Sequence, residues 1–186
     1  MTAAAGCRQA SSANTQMLDR SGMDYASVQQ IRGLNVSANE VEEVLKMHDA
    51  GFSDATCVRS VQIYHNRGQA FRADEIMSMR QAGMSEQTVF ALAQMNDFGK
   101  NAGELEAMHL AGLSDAIVME VAKRRADGEP VLSGASLAAM KNAGVRNSTL
   151  LELVRRGVPD SQANGLIASR RHGATDAQIL RRYSGS

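Results

Sequence analysis

The chain has 186 residues, of which 44% are hydrophobic and 22% charged, and its formal net charge is zero. That is an ordinary composition for a soluble protein long enough to bury a core. Two prolines, no tryptophan, three tyrosines and eleven methionines, with no runs of β-branched and aromatic residues, argue against sheets and for helices packed through small and flexible side chains. No stretch of about 18 apolar residues is present to span a membrane. Two cysteines, Cys7 and Cys57, make neither a disulfide framework nor a metal site. Charge is unevenly spread: residues 1–122 hold 9 Lys/Arg against 15 Asp/Glu, and residues 123–186 hold 11 against 5. Beside ordinary scatter of surface charge, that split raises two readings, an anionic partner for the second half or head-to-tail self-association.

At the amino terminus Ala4-Ala5-Gly6-Cys7 is followed by the polar run Arg8-Gln9-Ala10-Ser11-Ser12-Ala13-Asn14. The four residues resemble the lipobox of bacterial lipoproteins, with Ala4 standing where that family most often has Leu. The resemblance implies that Cys7 receives a diacylglyceryl group and becomes the first mature residue. Residues 1–14 are then a flexible tail, part signal-peptide remnant and part tether. Six residues are too few for the charged and apolar regions of a signal peptide, so the resemblance also implies coding sequence upstream of Met1. The address it implies is a membrane anchored through lipid, facing the periplasm or the cell exterior. A cytoplasmic address is the alternative.

From residue 15 to 183 the chain reads as one helical-repeat domain, with 184–186 as a disordered end. Gly22, Gly51, Gly83, Gly112, Gly144 and Gly173 are spaced 29, 32, 29, 32 and 29 residues apart. Four residues before the middle four glycines stand Met47, Met79, Met108 and Met140, and seven before stand Val44, Ile76, Leu105 and Leu137. Immediately after come Phe52, Met84, Leu113 and Val145, then Ser53, Ser85 and Ser114 with an acid behind each serine. Six after the glycine the position is apolar in all copies: Val28, Cys57, Val89, Val118, Leu150 and Ile179. Apolar residues at −7 and −4 form one helical stripe. The glycine stops the helix in a left-handed conformation, serine caps the next helix, and the acid complements that helix's dipole. The pattern predicts an all-α fold of six tandem helix–turn–helix repeats of about 30 residues. They are expected to form a curved α-solenoid or a compact helical array, in which the weaker outer copies act as caps. The alternating spacing suggests a larger unit of two hairpins, about 61 residues long.

Chemistry-bearing motifs are scarce. His48 and His109 share a repeat position but lie 61 residues apart, too far to hold one ion, and read as part of a solvated helix face. Glu42-Glu43 and Asp74-Glu75 sit near helix starts, where dipole compensation accounts for them. No Gly-x-Ser-x-Gly elbow, phosphate-binding Gly-rich loop or Cys-x-x-Cys pair occurs. The expectation is therefore a non-enzyme without catalytic residues, metal or cofactor.

The clearest functional candidates are paired arginines: Arg124 and Arg125, Arg155 and Arg156, Arg170 and Arg171, Arg181 and Arg182. Near helix C-termini they interact favourably with the last carbonyls. Together they could also contact an anionic partner such as phosphate groups or an anionic lipid surface. Nucleic acid is disfavoured, because stacking aromatics are nearly absent and the turns lack the second glycine of the helix–hairpin–helix loop. The functional expectation is a non-enzymatic scaffold for another protein in the bacterial cell envelope. The alternative is binding of nucleic acid or an anionic surface through residues 123–186.

Overall fold

The computed structural model describes residues 16–95 and 98–183. Of these, 69% are helical and none forms a strand, so the chain is all-α. The tail with Cys7 and the end at 184–186 lie outside the described residues. After a helical turn at 16–19 come α1 (Tyr25–Gly33), α2 (Ala38–Asp49), α3 (Asp54–Asn66), α4 (Asp74–Gln81), α5 (Glu86–Ala93) and α6 (Phe98–Leu110). Then follow α7 (Asp115–Ala126), α8 (Gly134–Asn142), α9 (Asn147–Arg155), a 3-10 turn (Asp160–Gln162), α10 (Ala163–Arg171) and α11 (Asp176–Arg181).

The same local chemistry ends α2, α4, α6, α8 and α10. The residue after the turn glycine donates its N–H to the carbonyl five residues back, at 3.0–3.2 Å: Phe52 to Met47, Met84 to Met79, Leu113 to Met108, Val145 to Met140 and Ala174 to Ser169. Each glycine N–H closes the inner bond to the carbonyl three residues back. That double closure requires a left-handed residue, and Gly112, for example, has φ +80°. The residue behind the glycine then folds back on the last turn, and Phe52, Met84, Leu113 and Val145 are all buried. Ser53 and Ser85 cap the following helices through Thr56 N–H and Thr88 N–H. Ser114 makes no side-chain cap, because Ile117 N–H donates to the Ser114 carbonyl instead.

The chain divides into two compact units, the first ending at Met77 and the second starting at Ser78, inside α4. In the first, α3 packs against both α1 and α2. Ile31, Val41, Val44, Met47, Cys57 and Val61 fill its core, and Tyr64 meets Phe71 edge-on with ring centroids 5.3 Å apart. In the second, the helices that follow the turn glycines pack side by side in the order α5, α7, α9, α11, and those that precede them in the order α6, α8, α10. Met79, Met108 and Met140 are buried between these layers, with Leu92, Val121 and Leu153. Each such side chain stabilises the fold by about 1.5–3 kcal/mol relative to exposure. The methionine column is thus core.

Candidate interaction surface

Three residues before a turn glycine stand His48, Arg80, His109, Lys141 and Arg170, and three after stand Asp54, Glu86, Asp115, Asn147 and Asp176. The reversal of the chain brings these columns together. His48 Nε2 lies 3.3 Å from Asp54 Oδ1, and His109 Nδ1 lies 3.0 Å from Asp115 Oδ1. Lys141 Nζ donates to Asn147 Oδ1 at 2.9 Å, and Arg170 Nη1 lies 3.3 Å from Asp176 Oδ1. Arg80 and Arg170 also donate to the carbonyls of Met84 and Ala174. This corrects the reading of His48 and His109 as a solvated face: their side chains are 23% and 21% exposed. The tight turn sets the acid of the next helix opposite the last turn of the previous one, which a helix taken alone does not reveal.

Two of these acids reach further. Asp54 accepts the Asp24 N–H at 2.6 Å. Asp115, 61 residues on, accepts the Ser85 N–H at 3.3 Å and the Thr88 hydroxyl at 2.8 Å. Burial pushes the Asp115 carboxyl up, but the Thr88 and Ser85 hydrogen bonds and the His109 charge outweigh it and hold the group below the usual carboxylate range. A second pair of acids repeats at the same separation. Glu43 accepts the Ala73 N–H at 2.9 Å, and Glu104 accepts the Gly134 N–H at 2.7 Å. Glu104 is also gripped by Arg125 through both oxygens, at 2.7 and 2.9 Å. That bidentate contact leads the influences that hold its pKa below the usual carboxylate range.

In the second unit His109, Lys141 and Arg170 of the −3 column also cover the turn glycine of the hairpin before each. A Cβ placed on Gly83 would sit 3.5 Å from His109 Nε2, and one on Gly112 would sit 3.9 Å from Lys141 Cε. Arg170 Nη2 donates to the Gly144 carbonyl at 2.7 Å, and Asn147 Nδ2 to the Gly112 carbonyl at 3.2 Å. Arginines at helix ends make comparable ties. Arg124 Nη1 donates to the Arg155 carbonyl at 2.8 Å, and Arg156 Nη1 to the Leu180 carbonyl at 3.0 Å.

The eight candidate arginines therefore divide. Arg124, Arg125, Arg156 and Arg170 are committed to carbonyls and carboxylates of neighbouring helices, and Arg182 bonds the Ser169 hydroxyl. Arg155, Arg171 and Arg181 are exposed. Among the described residues no group of three or more His, Cys, Asp or Glu side chains is arranged to hold a metal ion. No helix there is long and apolar enough to cross a membrane. Among the described residues, large apolar side chains stand exposed at Met17, Tyr25 and Leu110. Leu110 occupies a column, two before the glycine, that elsewhere holds Asp49, Gln81, Asn142 and Arg171. Comparisons of the chain with protein-family models, curated proteins and solved structures find no match. Fold class and surface thus define an all-helical protein whose polar chemistry joins hairpin to hairpin.

Proposed function

We propose that the chain is a non-enzymatic scaffold of six tandem helix–turn–helix repeats that binds another protein. In this reading it is anchored by a lipid on Cys7 and faces the periplasm or cell exterior. One observation carries the array reading: contacts between successive hairpins recur with different residues doing the same work. His109, Lys141 and Arg170 each cover the preceding turn glycine, and the acid pairs Asp54/Asp115 and Glu43/Glu104 cap backbone N–H groups about thirty residues away. Nearest-neighbour stitching of this kind is how stacked repeats gain stability, and it leaves their outer faces available to a partner. Tyr25 in the first unit and Leu110 in the second, at 76% and 65% exposure, each offer an apolar anchor of the kind that becomes buried in a protein interface.

A photo-crosslinking amino acid at Tyr25 or Leu110 in the native host tests the reading. Discrete adducts with one heterologous protein are expected, lost when Leu110 is replaced by Glu beside a crosslinker at Ala107. Adducts with nucleic acid alone, or none at either position, refute it. Mass spectrometry of the amino terminus tests the anchor: a diacylated Cys7 is expected, and an unmodified, uncleaved terminus ends that part of the proposal.

A further inference from the structure

The last hairpin, α10 and α11, departs from the others at the positions that elsewhere build the interior. Where Met79, Met108 and Met140 are buried, the equivalent residue is Ser169; where Leu92, Val121 and Leu153 are buried, it is Arg182. Where Ala82, Ala111 and Ala143 precede the turn glycine, His172 stands. Gly173 has nothing within 4 Å of an added Cβ, whereas Gly83, Gly112 and Gly144 are each covered by a side chain of the following hairpin. The uncovered face is concave, a depression of about 600 Å³ walled by Ser169, His172, Gln178, Arg181 and Arg182 and floored by small residues. Among the described residues no carboxylate lines it, and the acid of α11, Asp176, is paired with Arg170 and Arg146.

We propose that this end face binds a phosphate monoester or diester group through His172, Arg181 and Arg182. A further helical hairpin does not suit the face, because the apolar side chains that received the earlier hairpins are replaced by polar and cationic ones. A cation is repelled. An oxyanion meets two guanidinium groups and an imidazole, and the Ser169 hydroxyl, which donates to the Gly165 carbonyl, accepts from Arg182 and helps hold that side chain in place; Arg–phosphate contacts are the strong, directional kind. The depression is roomier than an inorganic phosphate needs, so it accommodates the small organic body or lipid headgroup that carries the phosphate. The site rests on its own lining and stands whether or not the protein-scaffold reading holds.

The experiment follows backbone amide resonances of the full chain titrated with glycerol 3-phosphate, and in parallel measures co-sedimentation with phosphatidylcholine vesicles with and without phosphatidic acid. Saturable shifts confined to residues 168–182 are expected, or sedimentation that requires phosphatidic acid. The first outcome assigns the phosphate to a soluble ester and the second to a headgroup. In either arm Arg181→Gln with Arg182→Gln should weaken binding about tenfold or more. Lys123→Gln, which removes an exposed cation outside the depression, should leave it unchanged. Both arms negative with wild-type protein, or equal losses in the double variant and in Lys123→Gln, would overturn the proposal. The wild-type titration decides independently of whether the variant folds.

Discussion

Replacing glycines by alanine should stabilise this protein at one position and destabilise it at another nine residues away, and the sign is set by the backbone alone. Gly103 lies inside α6, exposed, with nothing within 4 Å of an added Cβ. Alanine there keeps a helical conformation and removes freedom from the unfolded chain, worth about 0.5–1 kcal/mol. Gly112 has φ +80°. A Cβ there meets only Lys141 Cε at 3.9 Å, an ordinary contact, so sterics with neighbours contribute nothing. The cost is the left-handed conformation itself, about 1–2 kcal/mol for an L-residue. The two variants should therefore differ by about 1.5–3 kcal/mol with opposite signs relative to wild type. Urea unfolding followed by circular dichroism reads this as midpoint shifts in opposite directions at unchanged slope. Midpoints that move together, or a Gly112→Ala variant as stable as wild type, would show that the glycine column is not a conformational requirement.

The Glu104 carboxyl has its pKa held below the ordinary carboxylate value, first by Arg125 and then by the Gly134 N–H, against burial. Its stabilisation is complete above the unfolded value of about 4.3 and lost as pH falls through the lower folded value. Glu104→Gln should accordingly flatten the acid limb of stability below about pH 5 and cost about 1–2 kcal/mol at pH 7, its partial exposure limiting the effect; an acid limb parallel to wild type refutes the linkage. Ser53→Ala should cost about 1 kcal/mol by removing the Thr56 cap, whereas Ser114→Ala, which removes no cap hydrogen bond, should fall within about 0.5 kcal/mol of wild type; equal losses in urea unfolding contradict the assigned geometry. Arg170→Met should lower stability by about 1–3 kcal/mol by leaving Asp176 and the Gly144 carbonyl short of their donor, and an unchanged unfolding midpoint would deny that tie. Fluorescent oligonucleotides should show no saturable binding near physiological salt; tight, salt-sensitive binding that the fourfold alanine variant at Arg155, Arg156, Arg170 and Arg171 loses would instead favour nucleic-acid recognition.

The helical class, the core columns and the turn positions were legible because their physics repeats as residue identity. A left-handed C-terminal residue wants glycine, the face behind it wants an apolar side chain, and Met47, Met79, Met108 and Met140 mark the same buried stripe. The polar ties between hairpins repeat as function while their letters change. Histidine, lysine and arginine all fill the −3 column, and each places a positive or hydrogen-bonding tip over the same turn. His48 and His109 taken alone invite a question about metal or solvent. Set beside Lys141 and Arg170, and opposite Asp54, Asp115, Asn147 and Asp176, they read as one device in three spellings.

The arginine pairs were legible as helix-end cations, but their acceptors were not. Arg124, Arg156 and Arg170 spend donors on the carbonyls of Arg155, Leu180 and Gly144, and a backbone carbonyl leaves no letter in a sequence. A charge count treats all eight arginines as equal candidates for an anionic partner. Geometry withdraws those whose donors already satisfy helix ends, where an unpaired carbonyl would cost stability. What remains available for an external anion is narrower than the +6 of the second half suggests. Part of it stands at the last hairpin, where Arg182 occupies the column that the earlier hairpins fill with Leu92, Val121 and Leu153 and Arg181 lies beside it.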